Sequence, residues 1–150
     1  MPNIKSYSVR SIFVFLCLWA ASASPSSAET ILIMNAGLEG EQLSNNDLLR
    51  VYAMKKRTWS NGEPVVVYTL PNKSRQHRDF VYNYLRMQSH HLSRLWHKLV
   101  FSGTGSKPEV VNSAAEMLEK VANTPGAIGY LDGTEVNMAS QSVIAVDAHD

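Results

Sequence analysis

Cysteine is almost absent from the 150-residue chain: Cys17 is the only one, so neither a disulfide framework nor a cysteine-built zinc module can be assembled. Charge of one sign is also lacking. The formal net charge is +1, which excludes a uniformly basic histone-like chain and a strongly acidic buffer. Charged residues make up 18% and hydrophobic ones 45%, too apolar a balance for a disordered polyelectrolyte. No apolar run reaches the roughly 20 residues needed to span hydrocarbon. Repeats and long internal linkers are missing too. One domain with a core free of cystine is what this length allows.

The first 28 residues form a secretory signal pattern. Lys5 and Arg10 supply the positive start, Ile12 to Ala21 the apolar stretch, and Ser24-Pro25-Ser26-Ser27-Ala28 the small residues of a cleavage site. Cleavage after Ala28 is expected, with Ala23 as the second choice and a retained anchor as the alternative. Val14-Phe15-Leu16 does not make a lipidation signal of Cys17, which then leaves with the leader. The expectation is a signal at 1–28, one domain at 29–150, and a periplasmic location.

Beyond the leader, charge comes in blocks. Residues 29–49 hold four acids and no base. Residues 50–107 hold eleven Lys and Arg against Glu63 and Asp79, and residues 108–150 hold seven acids against Lys120. A concentrated basic middle suits an anionic ligand or surface; the plainer reading is solvated helix faces paired with acids from the two ends.

Periodicity alternates between strands and helices. Ile31–Met34 reads as a buried strand, and Ser44 caps a helix running to about Met54. Pro64–Leu70 is the strongest β segment. Pro71 to Ser74 opens a second helix bearing Phe80, Val81, Tyr84 and Leu85, and Ser89 caps a third with Leu92, Leu95, Trp96 and Leu99. Ser113-Ala114-Ala115-Glu116 is a capping box for a helix to about Asn123, followed by strands at Ala127–Leu131 and Ser142–Val146. The order β-α-β-α-α-α-β-β predicts an α/β fold, a three-layer mixed sheet flanked by helices.

A helix starting at Ser74 leaves amide N–H groups open at its tip, where the dipole favours an anion. Lys73, Arg75 and Arg78 crowd that tip although cations there oppose the dipole, and an arginine fork suits a tetrahedral oxyanion. Ser74, Arg75, Arg78 and Lys73 are therefore the candidate oxyanion-binding residues, with Thr104 of the glycine-rich loop a weaker one. The alternative is a solvated helix start with a serine cap. That loop lacks the Gly-x-x-x-x-Gly-Lys-Ser/Thr pattern of a nucleotide-phosphate loop. His90, Arg94 and His97 share one helical face, but the intervening cation and the lack of carboxylates at ligand spacing favour a basic face over a metal site. No nucleophile elbow, paired carboxylates or thiol after the leader points to an enzyme, and no cofactor is called for. Nucleic acid is not an expected partner, because the aromatics among the bases fall at core-facing periods.

Five ordered segments resemble the phosphate-type ABC-importer binding proteins, in their small single-domain branch. Leu43–Lys55 is similar to that family's stretch ending Ile-Phe-x-Gly-Lys, with Met54 in place of the glycine. Thr58–Val65 is similar to its Trp-x-Asp/Asn-Gly-x-Pro, Arg78–Tyr82 to its Arg-x-x-Phe-Tyr, Leu95–Gly105 to its Trp-to-Phe-Thr-Gly-x-Gly block, and Thr124–Tyr130 to its Pro-Gly-Ala-Ile-Gly-Tyr. The resemblance implies one lobe of a two-lobed (type 2) periplasmic binding protein. It also implies phosphate or a related oxyanion as ligand, and an importer membrane component or periplasmic sensor as partner. A homodimer would be one way to replace the second lobe. In the family's ligand turn, near Thr69–Ser74, Ser74 persists while Lys73 replaces a glycine and an upstream arginine is missing. The competing reading is a non-enzymatic interaction module that has lost its pocket and docks a protein partner through its basic face.

Overall fold

The apolar run Ile31-Leu32-Ile33-Met34 is bounded by polar Thr30 and Asn35, and it forms the strand around which the other elements assemble. In the computed structural model, which describes residues 29–135 and 143–146, β1 (Thr30–Asn35) is followed by a single 3-10 turn at Ala36–Leu38 and by α1 (Asn45–Tyr52). Then come β2 (Val66–Thr69), α2 (Arg75–Asn83), α3 (Ser89–Phe101), β3 (Glu109–Val110), α4 (Ala114–Asn123), β4 (Ala127–Asp132) and β5 (Val143–Val146). The segment expected to be a signal, residues 1–28 with Cys17, lies outside the described residues. Among those residues, no helix is long and apolar enough to cross a membrane.

The sheet runs β3-β2-β4-β1-β5. β1 lies antiparallel to β4 and β5, and β2 parallel to β3 and β4, so the sheet is mixed as expected. Successive β4 side chains face opposite sides. Tyr130 stacks on Phe80 of α2, whereas Gly129 meets Met117 and Val121 of α4. A Cβ at Gly129 would stand 2.5 Å from the Met117 sulfur, so only glycine lets α4 approach so closely. The three layers are therefore α4, the sheet, and a helical layer containing α2. Trp96 of α3 joins that second layer, donating its indole N–H to the Tyr52 carbonyl at 2.8 Å.

Caps follow the sequence with one exception. Ser44, Ser74 and Ser113 each accept the backbone N–H three residues on. Glu116 accepts the amide of Asn112, the residue before the cap, at 2.8 Å, so its half of the expected box is shifted by one residue. Ser89 does not cap α3: Gln88 holds the cap position without a side-chain bond, and Ser89 is already helical. Helix α1 ends at Tyr52 rather than Met54, because Met54 turns to φ 59°. That is the left-handed conformation for which a glycine is suited, which explains the glycine of the resembling motif. The third departure is β3, an added two-residue strand; its pairing with β2 lies far along the chain and leaves no local pattern.

Arg86, three residues past the end of α2, is also left-handed, at φ 52°, while the Met87 amide reaches back to the Val81 carbonyl at 3.3 Å. Its side chain is exposed, so little packing is at stake. Arg86→Gly is expected to raise stability by about 1 kcal/mol, read as a higher urea midpoint. An unchanged or lower midpoint would show that the turn carries no strain.

Candidate functional site

Strand β2 delivers the chain to a turn whose far end is the start of α2. Pro71 fixes its entry, and the Ser74 amide closes it by donating to the Pro71 carbonyl at 2.8 Å. Asn72 ties the turn to α3 through the Ser93 hydroxyl at 2.7 Å. Ser74, in an extended conformation, accepts the His77 amide at 3.1 Å. The amides of Arg75 and Gln76 have no carbonyl one turn ahead of them within the helix, so the dipole's positive end is presented there.

Arg78 bends back to this turn and donates Nη1 to the Lys73 carbonyl at 2.6 Å. Arg75 turns the other way, its Nε 3.3 Å from Asp79 in an exposed pair worth about 1 kcal/mol at most. The two arginines open onto separate clefts. One, of about 460 Å³, is lined by Arg75, Asp79, Asn83, Arg86 and Glu29; the other, of about 410 Å³, by Arg78, Asp79, Tyr82, Met87 and His90. Thr104 sits in the loop after α3, its hydroxyl 2.7 Å from Ser102 and its carbonyl accepting Arg57 at 2.7 Å. The chain thus gathers Lys73, Ser74 and Arg78 at one tip, with Arg75 beside them and Thr104 in a different loop.

Beneath the tip lies a buried polar chain. The Tyr130 hydroxyl is 3.0 Å from the Leu70 amide, 2.9 Å from Thr69 Oγ1 and 2.6 Å from His77 Nδ1. Thr69 Oγ1 also reaches the Leu70 carbonyl at 3.3 Å. One assignment satisfies every donor: Leu70 N–H and His77 Nδ1–H to Tyr130 oxygen, Tyr130 O–H to Thr69, Thr69 O–H to the Leu70 carbonyl. It leaves only the bare His77 Nε2, which has no partner in the interior. Burial, helped by the nearby Arg78 charge, pushes His77 down to about 4, and burial drives Tyr130 upward. At neutral pH both are uncharged, and together they pin Thr69 and Leu70 to the first turn of α2.

Sequence reasoning passed over this network. His77 does fall on the Phe80–Val81–Tyr84 face at helical spacing, a signal that it points inward. Tyr130 reads only as part of an apolar strand, and its meeting with His77 is a tertiary event 53 residues apart in sequence. Among the described residues no group of three or more His, Cys, Asp or Glu side chains is placed to hold a metal.

No family model and no curated protein matches the chain. Solved structures do. An ABC-type phosphate transport receptor from Vibrio cholerae overlays with a TM-score of 0.59 at 16% identity, covering 79% of this chain and 45% of its own. PstS from Borrelia burgdorferi overlays with a TM-score of 0.60 at 15% identity, covering 79% and 46%. The chain carries the fold of one lobe of the phosphate-binding proteins. It spans less than half the length of these neighbours. Within this lobe fold, β2 runs into the Lys73–Ser74 tip, and β4 reaches beneath that tip through Tyr130.

Proposed function

We propose that the protein is a periplasmic, non-enzymatic solute-binding-like module that takes phosphate or a related oxyanion reversibly at the tip of α2. The observation that carries this reading is the Arg78 guanidinium folded back onto the turn whose far end presents the open α2 amides. Ser74 can turn its hydroxyl proton toward an anion while still accepting from His77, and Lys73 adds a flexible charge. Arg75 can join by leaving its exposed partner Asp79. Thr104 is the outlying member of the set and would need its loop to swing in. The fold neighbours described as phosphate receptors support the ligand class, and an importer membrane component or a sensor is the fitting partner. Since the chain provides one lobe, a homodimer could supply the facing wall.

Calorimetry with phosphate and sulfate tests the reading. Heat is expected on phosphate addition, and Arg78→Ala should weaken binding about tenfold to a hundredfold, as loss of a charged hydrogen bond implies. Silence at millimolar phosphate, or an Arg78→Ala variant that binds as well as the parent, would refute it.

A further inference from the structure

Helix α3 contains no carboxylate along its thirteen residues. Leu92 and Trp96 are buried and Leu95 and Leu99 partly so, which sends His90, His91, Arg94, His97, Lys98 and Phe101 to the solvent side. This row runs about 16 Å along the helix. The ion pairs formed among the described residues are Lys56–Glu41, Arg75–Asp79 and Lys120–Glu109, and none involves α3. Apolar groups flank the row. Phe101 is 91% exposed and Val100 49% at one end, and Tyr82, 67% exposed, shares a cleft with His90 at the other.

We propose that this face of α3 docks on an anionic phospholipid surface, its cations among the headgroups and Phe101 at the acyl boundary. Arg94 and Lys98, with three histidines beside them, supply the cationic signal and Phe101 the apolar anchor, the two signals that peripheral binding needs. An acidic protein partner fits less well. Protein interfaces put the aromatic anchor in the centre and charges at the rim, whereas here the charges hold the middle of a convex helix and the apolar residues its ends. Arg78 opens onto the same cleft as Tyr82 and His90, but Arg94, Lys98 and Phe101 lie outside its lining, so changing those three tests the inference apart from oxyanion binding.

Co-sedimentation with vesicles tests it, using phosphatidylcholine with and without phosphatidylglycerol. Binding is expected only with phosphatidylglycerol, and it should fade as salt rises toward about 1 M, where the Debye length falls to about 3 Å. The double variant Arg94→Glu, Lys98→Glu should lose tenfold or more, and Phe101→Ser several-fold. All three positions are exposed, and circular dichroism checks that the variants remain folded. Absence of vesicle binding, equal binding to neutral vesicles, or indifference to these variants would overturn the proposal. So would capture of polyglutamate by a protein that ignores vesicles, which would assign the face to an acidic polypeptide.

Discussion

Replacing Gly126 by alanine should cost the fold about 3 kcal/mol or more. The residue sits at φ 72°, and a Cβ there would lie 2.1 Å from the Pro64 carbonyl oxygen, deep inside van der Waals contact with backbone that has no rotamer to change. The carbonyl of the same residue accepts the Trp59 indole N–H at 2.8 Å and the Val66 amide at 3.0 Å. Any shift that relieves the clash therefore disturbs a buried tryptophan and the first rung between β2 and β4, Val66 opposite Ala127. Urea unfolding should show a much lower midpoint with little change of slope. A variant as stable as the parent would mean that this junction yields easily, contrary to the packing described.

Tyr130→Phe is the second large effect, with an expected loss of about 2–4 kcal/mol. It removes an oxygen that accepts from the Leu70 amide and His77; His77 Nδ1 keeps Thr69 Oγ1 at 3.1 Å, whereas the Leu70 amide is left buried without a partner. The same network predicts an acid-side decline. His77 titrates near 4 in the folded chain against 6.5 ordinarily, so the unfolded chain takes up the proton first as pH falls. Stability from keeping the ring neutral is whole above about pH 6.5 and drains away down to about pH 4, by about 3 kcal/mol. Unfolding midpoints followed from pH 7 to 4 measure this. The decline should shrink in His77→Gln, and a parent profile that stays flat over that range would rule the network out as its source. Because Thr69 and Leu70 lead into the α2 tip, Tyr130→Phe should also weaken phosphate binding where the parent binds.

The elements legible in the sequence are those with local causes. Serine caps at 44, 74 and 113 and the apolar spacing around Phe80 and Trp96 set helices by interactions within one or two turns. The Lys73–Ser74–Arg78 grouping was visible for the same reason, being contiguous in the chain. What escaped has distant causes. Strand β3 exists because Tyr68 and Thr69 pair with Glu109 and Val110, some 41 residues on. Arg75 was expected at the tip with its neighbours, yet a carboxylate at i+4 turns it along the helix. The buried chain under the tip joins three segments, and no short window of sequence contains it.

The placement of β1 at the inner side of the sheet has a kinetic consequence. Its hydrogen-bonding partners, β4 and β5, follow it by nearly a hundred residues or more. As the polypeptide leaves the ribosome, the apolar segment Ile31–Met34 stays unmatched until about a hundred further residues have followed it. Such high contact order slows assembly and exposes the nascent molecule to aggregation.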